Sequence, residues 1–523
     1  MIPLGDWPGR DLLAHRAATT PGTPAIVDAD RDEEWTYAAF DRRVDAVAAE
    51  LETVVSGPDD RLGALLGTRP AFAAIYFAAM RLGVTLVPLN VRETPAELEE
   101  KASRVDLDAL VCESPTEGVA LAVADCPIRS VDEPTHDGAG RLGTGAEGGE
   151  GGGSGNSSSG PLEGRIPFDP DRTHLLMFTS GTSGEPKAVR LTVGNVVASA
   201  IGSAFRLGVL PDDRWLCCLP MYHMGGLAPL VRSTLYGTTL VVQREFDPVE
   251  TASVLERDKI TGVSLVPTMC DRLLEAGWSP SDDLRFALVG GAPASRELIE
   301  RCRERGVPIH PTYGATETAS QVATARPADA FADPETVGHP LSSVEVSIVD
   351  DDGDPVESGV EGELVVSGPA VTPGYLSDDR TAEAFDERGF HTGDVGRRDA
   401  DGRLRISGRR VDRIVTGGEN VDPAEVREVL CDHRVVSEAA VVGLADDEWG
   451  ERVAALVVPA ADDRAAADPI DLESLLARCD ERLASFKRPK TVGTADALPR
   501  TASGTVDRDA VRERLRADGT DVS

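Results

Sequence analysis

Between residues 62 and 289 short apolar runs alternate with longer amphipathic stretches, and that alternation leaves few folds open to the chain. The apolar runs at 62–66, 85–88, 109–112, 239–242, 262–266 and 286–289 have the length and β-branched content of buried strands. Helical spacing fills the gaps, at 72–82, 94–103, 196–205, 228–235 and 251–256. Strand, helix, strand in repetition predicts parallel sheets with helices on their faces, an α/β fold. Upstream, a helix carrying Leu12, Leu13 and Ala17, a strand at 25–27 and a helix at 37–51 extend the pattern.

One stretch interrupts the pattern with chemistry. Residues 178–190 place Thr179, Ser180, Thr182 and Ser183 among Gly181 and Gly184, and end in Lys187. Backbone N–H groups and hydroxyls at that density can close on a polyanion, with one cation at the rim. The common G-x-x-x-x-G-K-[ST] loop is excluded, because Lys187 sits between Pro186 and Ala188. A Gly/Ser linker would share the composition, but the apolar runs at 175–178 and 188–191 predict a tight strand-loop-strand turn instead.

At 523 residues the chain is too long for one core. Its formal net charge of -36 is carried by 89 acidic residues against 53 cations, of which only Lys101, Lys187, Lys259, Lys487 and Lys490 are lysines. Sustained apolar periodicity argues against disorder and for a folded protein with a densely acidic surface. Such a surface resembles that of halophilic proteins from salt-loaded cytoplasms, where repulsion reaches only about 3 Å at 1 M salt. The charge argues against nucleic acid and anionic membranes as partners. The eight cysteines are scattered, with no C-x-x-C pair, as buried thiols of a reducing cytosol would be. No secretory leader opens the sequence, and the apolar run at 71–80 is too short to span a bilayer. A cytoplasmic protein is expected, without membrane insertion. Residues 137–160, nearly all Gly, Ser, Ala, Glu and Asn, predict a disordered surface insertion.

Three further stretches carry candidate site residues. His223 follows Pro220-Met-Tyr in a turn between apolar segments, where it is either a satisfied core histidine or a polar wall of a pocket. Tyr313-Gly314-Ala315-Thr316-Glu317 puts an aromatic ring, a hydroxyl and a carboxylate within five residues, suited to stacking on a base, holding a phosphate oxygen and helping to bind Mg²⁺. Asp394, in His391-Thr-Gly-Asp, can accept from both hydroxyls of a ribose, and Arg409 can bond it again.

Taken in order and at these separations, the phosphate loop, Tyr-Gly-x-Thr-Glu, Thr-Gly-Asp and Gly-Arg resemble the adenylate-forming enzymes: acyl-CoA synthetases, peptide-synthetase adenylation domains and firefly luciferase. The resemblance runs from about Leu12 to Val511. Within the family, residues 219–227, 232–237 and 312–321 look most like the o-succinylbenzoate-CoA ligases of menaquinone synthesis. The resemblance implies an N-terminal AMP-binding domain over 1–410 and a small mobile α+β lid domain over 411–523. It implies ATP, Mg²⁺ and CoA, with a small carboxylate as substrate; assembly into a homo-oligomer is left open. By this likeness Lys187, His223 and Glu317 are catalytic, with Glu317 on the metal, and Gly291, Ala292, Tyr313, Gly314, Thr316, Asp394 and Arg409 join the phosphate loop on the nucleotide. Gly418 falls near the thiol channel.

In one place the chain departs from the family. The C-terminal signature carries a lysine that bridges carboxylate and phosphate during adenylation, and here Thr505 stands in its place, in Ala502-Ser-Gly-Thr505-Val-Asp-Arg508. Lys487, Lys490 and Arg500 are the candidate replacements; slow adenylation is the alternative. A pseudoenzyme would also explain Thr505, but the retained Lys187, Glu317, Asp394 and Arg409 argue against it. A peptide-synthetase adenylation domain is disfavoured because Ser523 leaves no room for a carrier domain.

Overall fold

The computed structural model describes residues 11–143, 169–179, 186–409, 414–416, 419–421, 423–446, 449–460, 472–483, 485–501 and 504–522. The chain divides into two compact units. The larger takes Met1–Ser347, Val365–Thr392 and Arg398–Arg405, and the smaller takes Ile348–Leu364, Gly393–Arg397 and Ile406–Ser523.

Two sheets organise the larger unit. In one, Arg61–Leu65 runs parallel to Thr85–Pro88 on one side and Ala109–Cys112 on the other. Thr85–Pro88 lies beside Thr173–Thr179, whose antiparallel partner is Lys187–Thr192. In the other, Pro24–Asp28, Thr239–Val242, Arg214–Cys217, Gly262–Leu265, Phe286–Val289 and Ile309–Tyr313 follow one another in parallel. The expected alternation is therefore realised, and Thr85–Pro88, Thr239–Val242 and Phe286–Val289 fall where periodicity puts them.

Helix Pro70–Leu82 explains how the sheets share a core. It is apolar on every side and buried from Pro70 to Arg81, which a surface helix never is. It touches Thr85–Pro88 of one sheet and Pro24–Asp28 of the other. Pro70 opens it and Gly83, at φ 69°, ends it in the left-handed conformation that glycine adopts without strain.

One sequence expectation changes here. Within the stretch set aside at 137–160, Ala139–Arg141 forms a short strand parallel to Ile128–Ser130 at the sheet edge. Backbone pairing there needs no apolar side chains, so composition could not reveal it. Residues 144–168 lie outside the described part.

The smaller unit is α+β. Val436–Asp446 and Gly450–Pro459 form a long antiparallel pair, and Thr491–Thr494 lies parallel to the second of them. Alternate residues face opposite ways along a strand. Val453, Ala455 and Val457 accordingly pack with Val426, Leu430 and Leu475 of helices Pro423–Cys431 and Leu472–Arg482. Ala454, Leu456 and Val458 pack instead with Val511 and Leu515 of helix Arg508–Asp518. Among the described residues no helix is long and apolar enough to cross a membrane.

Candidate active site

The strand-loop-strand turn is present as an antiparallel hairpin that pairs Thr179 with Lys187 across the loop. Ser180, Gly181, Thr182, Ser183 and Gly184 lie outside the described residues, so the geometry starts from the two flanks. Lys187 Nζ sits 5.3 Å from the centroid of the Tyr375 ring, within reach of its electron-rich face. The Tyr375 hydroxyl donates to Glu317 Oε1 at 3.0 Å. Glu317 is buried, in the 3₁₀ turn Thr316–Thr318, and its carbonyl accepts from Thr372 N at 2.7 Å. Lys187 and Glu317, far apart in sequence, are thus joined through one phenol. Sequence reasoning missed Tyr375; its signal was the Pro373-Gly374-Tyr375 turn, which places it on the edge strand beside Val189 and Arg190.

The next group gathers where parallel strands end. Phe286–Val289 and Ile309–Tyr313 are neighbours, and loops leaving the carboxyl ends of such strands line the binding crevice of open α/β sheets. Gly291 and Ala292 are exposed there, beside half-buried Tyr313 and Thr316. A side chain at Gly314 would place its Cβ 1.6 Å from the Ser320 carbonyl oxygen, so only glycine lets the chain fold back over itself. The return leg is strained: Ala319 and Ser320 have φ of 49° and 114°. Conformations of that kind cost about 1–3 kcal/mol each and concentrate at functional sites.

This strained leg borders a narrow, closely packed cleft beneath helices Val193–Leu207 and Met224–Tyr236. Its walls include Val196, Ser199, Met224, Ala228, Arg232 and Ala319. Arg232 is 1% exposed. Its Nη2 donates to Ser320 Oγ at 3.2 Å, its guanidinium carbon lies 5.3 Å from the Trp215 ring centroid, and its Nε has no partner. No carboxylate among the described residues pairs with it. Burial pulls its pKa down to about 10, so it remains a cation at neutral pH. Gln321 braces the strand beyond, donating from Nε2 to Thr324 Oγ1 at 2.6 Å, and leaves Oε1 unpaired.

His223 stands at the amino end of helix Met224–Tyr236, edge-on to Tyr222 at 4.8 Å between centroids. Burial lowers its pKa to about 4, helped by Lys101 and Arg92, so its ring is neutral at pH 7.

In the smaller unit Arg409 Nε lies 3.3 Å from Asp394 Oδ1. Gly418 is outside the described residues. Thr505 is exposed in a turn where Thr501 and Thr505 share a hydrogen bond of 2.8 Å between hydroxyls. Of the three replacement cations, Lys487 is held by both oxygens of Glu425 at 2.7 and 2.6 Å, and Lys490 lies 3.7 Å over the Trp449 ring. Arg500 alone bonds the turn itself, through Nη1 to the Gly504 carbonyl at 2.9 Å, while Nη2 reaches Glu438 at 3.0 Å.

Residues 13–376 match the family described as AMP-binding enzyme, and residues 425–505 match the AMP-binding enzyme C-terminal domain. The chain belongs to the AMP-binding enzyme family. It is 34% identical to the 2-succinylbenzoate–CoA ligase of Bacillus pumilus (strain SAFR-032), over 96% of this chain and 97% of that one. The corresponding ligase of Listeria monocytogenes is 33% identical, over 96% and 98%. Among solved structures, the o-succinylbenzoate CoA synthetase of Bacillus subtilis in complex with its acyl-adenylate intermediate superposes with a TM-score of 0.85, at 32% identity, covering 96% of this chain and 98% of that one. ATP-bound MatB of Rhodopseudomonas palustris has the same TM-score of 0.85 at 27% identity, covering 97% and 98%.

Glu317 fits a role on Mg²⁺: one buried carboxylate, oriented by Tyr375, is the kind of ligand that magnesium takes alongside phosphate oxygens and water. Among the described residues no cluster of three or more His, Cys, Asp or Glu could hold a metal unaided.

Proposed function

We propose that the chain is an ATP-dependent acid–CoA ligase whose preferred acid is o-succinylbenzoate. The substrate carboxylate attacks the α-phosphorus of ATP and expels pyrophosphate; the thiol of CoA then attacks the mixed anhydride, forms the thioester and expels AMP. The observation that carries the choice of acid is Arg232, a buried cation with no carboxylate partner among the described residues, lining an apolar cleft. With the cleft opened around it, an aromatic ring would be lined by Val196, Met224 and Ala228, and a carboxylate on that ring would neutralise the guanidinium. The names of the relatives agree with this reading.

In this proposal Thr179, the loop 180–184 and Lys187 hold the triphosphate. Tyr313, Gly291, Ala292, Gly314 and Thr316 frame base and α-phosphate, and Asp394 with Arg409 takes the ribose. Mg²⁺, held by Glu317, would spread the charge that develops on phosphate oxygens. His223, neutral, forms a polar wall that keeps water from the anhydride. Residues 411–523 act as the lid that serves both half-reactions, with Gly418 near the thiol. Adenylation without a lysine at 505 is part of the reading, as is a cytoplasmic setting. A second reading, a CoA synthetase for another acid, is separated by a panel of carboxylates assayed for AMP release with ATP, Mg²⁺ and CoA. o-Succinylbenzoate is expected to give the highest kcat/KM; a higher value for benzoate or a medium-chain fatty acid overturns the assignment.

A further inference from the structure

The cleft that Arg232 lines holds a second donor with no partner among the described residues. Ser199 lies on helix Val193–Leu207, is 1% exposed, and its Oγ makes no hydrogen bond. A helical serine ordinarily satisfies itself by bonding back to the carbonyl of the preceding turn, and a buried hydroxyl left unmade is disfavoured against alanine. Arg232 Nε, bordering the same cleft, is unsatisfied in the same way. Two idle buried donors, one cationic, beside Val196, Met224 and Ala228 define the missing group closely. It is an anion with two acceptor oxygens, carried on an apolar body.

We infer that Ser199 is a specificity-determining residue, its hydroxyl donating to one oxygen of the distal carboxylate while Arg232 engages the other. The inference rests on the proposed reading of the cleft as the acyl site. The hydroxyl gains a partner only when a diacid is bound, so it discriminates between acids and gives the free chain no stability.

The test compares o-succinylbenzoate with 4-oxo-4-phenylbutanoate, which lacks only the ring carboxylate, in the full chain, in Ser199→Ala and in Arg232→Gln. The readouts are kcat/KM for each acid and the midpoint of thermal unfolding. Ser199→Ala is expected to lower the diacid-to-monoacid ratio about tenfold or more, the loss falling on the diacid, as one hydrogen bond to a charged group requires. Its unfolding midpoint is expected to stay level or rise, because an unsatisfied hydroxyl is replaced by the best helix former. An unchanged ratio in Ser199→Ala together with a collapsed one in Arg232→Gln overturns the role of Ser199 while leaving the acyl site standing. Equal losses on both acids also overturn it, as a packing effect. A wild-type chain that shows no preference for the diacid removes the underlying reading instead.

Discussion

Two buried arginines sit in apolar helices of this chain and have opposite surroundings. Arg81, its side chain 1% exposed, reaches Asp11 at 3.0 Å through Nε, Asp45 at 2.6 Å through Nη1, and Asp41 through Nη2. Burial pulls its pKa down, but the three aspartates outweigh it and the net shift is upward. Arg232 has burial without the aspartates, and its pKa falls to about 10. Arg81 ties the N-terminal helices together. Among the described residues Arg232 has no acid to compensate its charge, which is the observation behind the proposed diacid site.

The largest expected effect tests the first of the pair. Arg81→Leu strands the buried Asp11 and the half-buried Asp41 without a cation, and urea unfolding is expected to show a loss of about 3–5 kcal/mol. A loss below about 1 kcal/mol would put Arg81 in the same class as Arg232. Arg232→Leu is the counterpart: the urea midpoint should hold or rise, while kcat/KM for o-succinylbenzoate falls about a hundredfold. Destabilisation on the scale of Arg81→Leu would erase the contrast.

Salt acts by a different route. With a net charge of -36, the folded state repels itself when unscreened, so thermal unfolding in dilute buffer is expected well below that in molar KCl. Equal midpoints would show that the acidic surface does not destabilise the folded state when unscreened.

In sequence the two arginines look alike: Ala79-Met80-Arg81-Leu82 and Val231-Arg232-Ser233 are both a cation on an apolar helix. Periodicity reports which face is buried, not which of 89 acids arrives beside a given guanidinium. The fold was legible because strand spacing and turn residues act locally, as at Thr85–Pro88 and Phe286–Val289. The family was legible for the same reason, from motifs that are continuous in sequence. Tyr375 and Ser199 were not, since one matters through its distance from Glu317 and the other through a hydrogen bond it does not make.

Acid pH gives a smaller effect. Burial lowers His174 to about 3, and His223 and His310 to about 4. Below the ordinary value near 6.5 the unfolded chain takes up protons that the folded chain refuses. Their contribution to stability is therefore full above pH 6.5 and is lost as pH falls towards 4. For His223 the consequence is kinetic as well: no titration near 6.5 in kcat/KM should vanish in His223→Asn. Such a disappearing transition would show that the ring is protonated in the working range.

The smallest effect concerns an absent cation. Thr505→Lys should speed pyrophosphate release from ATP and acid, and leave the conversion of presynthesised acyl-adenylate with CoA unchanged, in single-turnover assays. A change confined to the thioester step would contradict the assignment of this turn to adenylation.

The central claim, that Arg232 awaits the second carboxylate of a diacid, is tested most directly by the wild-type preference between o-succinylbenzoate and 4-oxo-4-phenylbutanoate. A kcat/KM ratio of about a hundred or more in favour of the diacid is predicted. A ratio near one, or a preference for the monoacid, would contradict it.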